Sequence, residues 1–153
     1  MLNPNDRYWV VVADSGKARI LEMRRKPYTF RLVTEYASLN QHRTSKELVS
    51  DAAGRVYRAQ GPGTHAMQPR SDPHENAEKQ FASDLARRVE EGAGQGCFES
   101  LALIADAKTL GRLRNDLGKE LGERVVEERP LDLTGLTLQN LEPRVRDILG
   151  WNA

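Results

Sequence analysis

Two short runs of this 153-residue chain are continuous in apolar side chains: Trp9-Val10-Val11-Val12-Ala13 and Leu101-Ala102-Leu103-Ile104-Ala105. Successive side chains on a strand point to opposite faces, so a strand with one wet face alternates and a strand without alternation needs cover on both faces. The two runs therefore predict central strands of one sheet with helices packed above and below it. A chain of this length is the usual size of one domain, able to bury about 70% of its unfolded surface. A single domain over residues 1–153 is the expectation.

The other elements follow from punctuation and period. Asp14-Ser15-Gly16 is a turn signal between the first run and Lys17 to Met23, which reads as a hairpin. Arg24-Arg25-Lys26-Pro27 makes a second turn, and Thr29 to Ala37 alternates with Phe30, Leu32, Thr34 and Tyr36 on one side, giving a three-stranded antiparallel meander. Asp72-Pro73-His74-Glu75 combines a capping acid, proline at the first helical position and glutamate three residues after the cap. Phe81, Leu85, Ala86 and Val89 continue that helix, and Gly92, Gly94 and Gly96 are expected to stop it. After the second apolar run, Asp106 caps a helix expected to carry Leu110, Leu113, Leu117 and Leu121. Val125 and Val126 anchor a last strand, and Leu138, Leu141, Val145 and Ile148 form a terminal amphipathic helix with Pro143 in its first turn or at a kink. The order predicts an α/β fold: a mixed sheet of about five strands, meander first, then βαβ-type units.

Composition narrows the class. Apolar residues at 39% and charged residues at 29% fit a globular protein, and no apolar stretch approaches the about 20 residues that cross a bilayer. Residues Met1 to Asp6 lack the basic start of an export signal, and Cys97 is the only cysteine, so a cytoplasmic protein without disulfides is expected. Charge is uneven. Met1 to His74 holds 12 Lys and Arg against 7 Asp and Glu, and the remainder 11 against 15, which makes the first half the better candidate for meeting phosphate backbones.

The segment from Asn40 to His74 breaks the pattern. Leu48, Val49, Val56, Tyr57 and Met67 are its only clear apolar residues, among glycines at 54, 61 and 63 and prolines at 62, 69 and 73. Loops of this length are uncommon in compact domains unless they carry function. Arg58-Ala59-Gln60-Gly61-Pro62-Gly63-Thr64-His65 allows close backbone approach to a ligand, although the Gly-Lys-Ser/Thr of a phosphate-binding P-loop is missing. Arg43, Lys46, Arg55, Arg58 and Arg70 are placed to contact nucleic-acid backbone. The candidate binding residues are Arg55, Arg58, Gln60, Gly61, Gly63, Thr64, His65 and Arg70. His42, His65 and His74 also fall here beside Asp51 and Asp72, but spacings of 23 and 9 residues match no zinc pattern, and no metal or cofactor is expected. Asp14 and Asp106 each follow an apolar strand, where two-metal nucleases place their acids; they suit a turn and a helix cap equally well, and no third carboxylate stands at a matching strand end.

Several of these pieces occur in the order of a known family. Trp9 to Ile20, Ser50-Asp51-Ala52-Ala53-Gly54-Arg55, Gly61-Pro62-Gly63-Thr64-His65-Ala66-Met67, Asp72-Pro73-His74-Glu75, Phe81 to Leu85, Leu101 to Ala105 and Asp132-Leu133-Thr134 resemble the bacterial host-attachment family. That family looks like a relative of the middle domain of archaeal and eukaryotic peptide-chain release factors, in which a Gly-Gly-Gln loop enters the ribosome and helps water attack peptidyl-tRNA. The resemblance implies that the loop around Gly61 and Gly63 is an inserted tip whose basic flanks meet ribosomal RNA or tRNA. This chain has Gly61-Pro62-Gly63 in place of Gly-Gly-Gln, so peptidyl-tRNA hydrolysis does not carry over with it. A protein-interaction module that affects attachment indirectly is the other reading open at this point.

Overall fold

The computed structural model describes residues 5–38 and 72–151. Its strands are β1 (Arg7–Ala13), β2 (Lys17–Arg24), β3 (Thr29–Ala37), β4 (Ser100–Ala105) and β5 (Val125–Pro130). They form one sheet in the order β3-β2-β1-β4-β5. As the two apolar runs required, β1 and β4 lie at its centre, and every side chain of either strand except that of Arg7 is buried.

Helices cover both faces. On one, Trp9, Val11, Leu101 and Leu103 pack against Phe81, Leu85 and Val89 of α1 (Pro73–Gly94) and Leu110 and Leu113 of α2 (Ala107–Asp116). On the other, Val10, Val12, Ala102 and Ile104 meet Leu141 and Val145 of α4 (Leu138–Leu149). Strand β1 pairs antiparallel with β2 and parallel with β4, β2 pairs antiparallel with β3, and β4 pairs parallel with β5. Only β2 opposes the direction of the other four. Among the described residues, no helix is long and apolar enough to cross a membrane.

Two expectations in this region of the sheet and its helices need correction. Phe30 and Leu32 do share the α4 face, but Val33 and Tyr36 pack on the α1 face. Ile20 pairs with Thr34 and Leu21 with Leu32, so Val33 is an extra residue in β3, and such a bulge moves everything after it to the other side. Second, the helix after Asp106 does not reach Leu121. Leu117 is already extended, and after Gly118 a short helix, α3 (Lys119–Gly122), returns Leu121 to the core. Glycine costs a helix interior about 1 kcal/mol relative to alanine, which favours a break there. Pro143, expected in the first turn of α4 or at a kink, lies inside the helix beyond that turn; Thr137 caps the helix and the left-handed Gly150 ends it.

Gly92 does not end α1 but lies buried within it, and the helix stops only before Gly96, whose φ of 73° suits glycine. The reason is Trp9: a Cβ on Gly92 would stand 2.3 Å from its ring. Alanine ordinarily gains up to about 1 kcal/mol over glycine in a helix, while overpacking a fixed core costs about 1 to 3 kcal/mol. Gly92→Ala is therefore expected to lower stability by about 1 to 2 kcal/mol in urea unfolding, whereas Gly94→Ala, which meets nothing within 4 Å, is expected to be neutral or stabilising.

Candidate functional site

Because β1, β3, β4 and β5 run the same way, their carboxyl ends emerge along one edge of the sheet. Asp14 follows β1, Ser38 follows β3, Asp106 follows β4, and Asp132 comes two residues after β5. In open α/β sheets this is the edge at which ligands bind.

Asp14 forms the turn its position suggested. One carboxylate oxygen accepts from the backbone N–H of Gly16 at 2.8 Å and of Lys17 at 2.7 Å, and the other lies 2.9 Å from the Thr134 hydroxyl. Asp106 caps α2, with Oδ2 accepting from the N–H of Thr109 at 3.2 Å. Its Oδ1 is buried without a partner among the described residues, as is the Thr109 hydroxyl. Ala13 stands opposite Ala105, so Asp14 and Asp106 leave adjoining strands from matching positions.

A third carboxylate does stand at this edge, contrary to expectation. The Thr134 hydroxyl is also 2.6 Å from Asp132 Oδ1, so one proton serves two acids brought from opposite ends of the chain. Val125 and Val126 marked β5 but not its end, and nothing local in sequence shows that the loop after it returns to β1. Asp132-Leu133-Thr134 was visible only as a piece of the family resemblance. Among the described residues, no group of three or more His, Cys, Asp or Glu is arranged to hold a metal ion.

The start of α1 is fastened at the same edge. Asp72 caps it by accepting from the N–H of His74 at 2.9 Å. Glu78, one turn on, meets Arg112 of α2 at 2.9 Å, His74 Nε2 at 3.1 Å and Lys108 at 3.6 Å, while Arg112 also reaches Glu75 at 3.5 Å. Burial works to raise the Glu78 carboxyl, but the Arg112 hydrogen bond and the charges of Lys108, Arg112 and His74 outweigh it and hold it below the usual range. At the end of β3, the N–H of Ser38 donates to Gly16 O at 2.7 Å. The chain thus leaves and rejoins the described fold along one edge.

Arg55, Arg58, Gln60, Gly61, Gly63, Thr64, His65 and Arg70 lie outside the described residues, as do Arg43, Lys46, His42 and Asp51. Of the residues singled out in sequence, Asp14, Asp106, Asp72 and His74 are placed, all at the carboxyl-end edge.

The model of a family described as "Protein required for attachment to host cells" matches residues 9–145. No curated protein matches the chain. Among solved structures, it is similar to a chain from a structural study of the Aquifex aeolicus PPX-GPPA enzyme, with 13% identity and a TM-score of 0.36, over 80% of this chain and 35% of that one. The chain spans about a third of that protein's length.

The Glu78 cluster sets an acid dependence. A carboxyl held below its ordinary 4.5 contributes stability that is complete above that value and disappears as pH falls through the lowered one. Glu78→Gln is expected to cost about 1 to 3 kcal/mol at neutral pH and to flatten the decline in unfolding midpoint below pH 4.5. Some decline persists, because the hydrogen bond from Arg7 also holds Glu99 low.

Proposed function

The chain belongs to the family of proteins required for attachment to host cells, and from that premise we propose that it is a cytoplasmic, ribosome- or tRNA-associated domain that grips RNA through residues 54–70. The observation carrying this reading is the common edge: β3 ends there beside Gly16, and α1 begins there, bolted to α2 through Glu78 and Arg112. The described residues on either side of 39–71, Ser38 and Asp72, thus lie at one edge of a well-packed body. That stretch carries Arg55, Arg58 and Arg70 around Gly61 and Gly63, and cationic side chains gain affinity for a phosphate backbone by releasing its counterions. The likeness to the release-factor middle domain supports an RNA partner. Pro62 has no backbone N–H to donate between Gly61 and Gly63, so the role proposed is association without ester hydrolysis.

Cosedimentation with ribosomes tests it. The full chain is expected to pellet with them at low salt and to be released steeply as salt rises. Gly61→Ala, Gly63→Ala and Arg58→Ala together are expected to weaken association by about tenfold or more. No association at low salt, or association indifferent to the triple variant, overturns the reading. Capture of a protein partner that survives nuclease and high salt would instead favour an interaction module acting on attachment indirectly.

A second reading has one observation in its favour. Asp14 and Asp106 leave adjoining strands in register, and Asp106 keeps a buried oxygen unused, which suits metal-dependent phosphodiester cleavage. It predicts nuclease activity with magnesium or manganese that Asp14→Asn abolishes while the fold remains. A wild-type protein inert toward RNA and DNA with either metal dismisses it.

A further inference from the structure

Beside Asp14, the start of β2, the end of β3 and the loop after β5 enclose a cavity of about 280 Å³, lined by Lys17, Arg19, Glu35, Tyr36 and Thr134 among others. Its size falls just below the about 300 to 1,000 Å³ typical of ligand pockets, of metabolite rather than peptide scale.

The hydrogen-bond inventory of its walls is unbalanced. Arg19 gives Nε to Glu35 at 3.1 Å and Nη1 to Leu136 O at 2.6 Å, and its Nη2 has no partner among the described residues. The half-buried Lys17 uses its backbone N–H on Asp14, and its ammonium forms no ion pair among the described residues. Asp14 Oδ1 already accepts from two amides, and its Oδ2 shares the single Thr134 proton with Asp132. With its proton committed to Asp14 or Asp132, Thr134 is left as an acceptor. The Tyr36 ring packs toward Phe81, on the α1 face, so this residue lends the cavity a wall rather than a donor. Lys17 and Arg19 thus bring two cations to a cavity wall that also holds the Glu35 carboxylate, with Asp14 and Asp132 behind Thr134, and an oxyanion can take the ammonium and guanidinium donors that acceptors among the described residues leave open.

We propose that this cavity binds a small metabolite through one oxyanion group, a phosphate or a carboxylate, held by the Lys17 ammonium and Arg19 Nη2, with a hydroxyl of the same molecule donating to Thr134 or Glu35. The site is independent of the RNA reading and uses no residue of the 54–70 segment.

Titration of the full chain, followed by amide NMR, tests it with inorganic phosphate in one arm and acetate in the other, and chloride at matched ionic strength as the control. Saturable shifts at Lys17, Ala18 and Thr134 are expected from at least one anion and not from chloride, and the tighter of the two identifies the group. Lys17→Met is expected to weaken that binding about tenfold or more with the rest of the spectrum unchanged, and Lys17→Arg to retain most of it. The Gly61, Gly63 and Arg58 triple variant is expected to leave anion affinity untouched, separating this site from the RNA surface. No saturable shift from either anion, or equal affinity in Lys17→Met, overturns the proposal.

Discussion

Burial of β1 and β4 on both faces is the constraint from which the rest of this architecture follows. A strand whose side chains past the first residue are interior can carry no chemistry along its length, so polar residues are confined to its two ends. The need to cover both faces also fixes the connections. Strands β4 and β5 are parallel neighbours joined through α2 and α3 on one face, and α4 then returns over the other. With four of five strands running one way, the polar ends collect along a single edge. The edge is thus a consequence of core packing before it is a site.

The same constraint explains what was legible in the sequence. Residues 9–13 and 101–105 announced their burial directly, and the caps Asp72 and Asp106 announced their helices, because each signal is local. What escaped depends on partners distant in the chain. Val33 is a bulge only because Ile20 and Leu21 pair with the residues on either side of it; in isolation, the alternation from Phe30 to Tyr36 looks regular. Gly92 has the sequence signature of a helix stop, yet it is interior because the Trp9 ring, 83 positions away in the chain, needs its missing Cβ. The single helix expected from Leu110 to Leu121 had its apolar residues right and its continuity wrong, since both Leu117 and Leu121 reach the core across a break.

The candidate site was legible in the same uneven way. Asp14 as a turn former and Asp106 as a cap were both readable from position alone, and both do form those bonds. Thr134 and Asp132 were recognisable only as part of a resemblance, because their link to Asp14 spans 120 residues and depends on a loop crossing the edge. Lys17 and Arg19 gave no signal beyond a strand start, and their importance appears only when their neighbours are found already engaged.

That distinction between engaged and unengaged groups gives the edge its electrostatic character. Its carboxylates are mostly fasteners: Asp14 closes the first hairpin and ties the loop after β5, Asp72 caps α1, and Glu78 joins α1 to α2. Asp106 is the exception, with one oxygen unmatched. The unused capacity lies largely with cations, the Lys17 ammonium and Arg19 Nη2. An acid already satisfied by amides and hydroxyls repels an incoming anion less than a bare one, while an unpaired ammonium still attracts it. The carboxylates keep their charge when hydrogen-bonded, so what favours an anion here is local, the open donors of Lys17 and Arg19 rather than the charge of the edge as a whole.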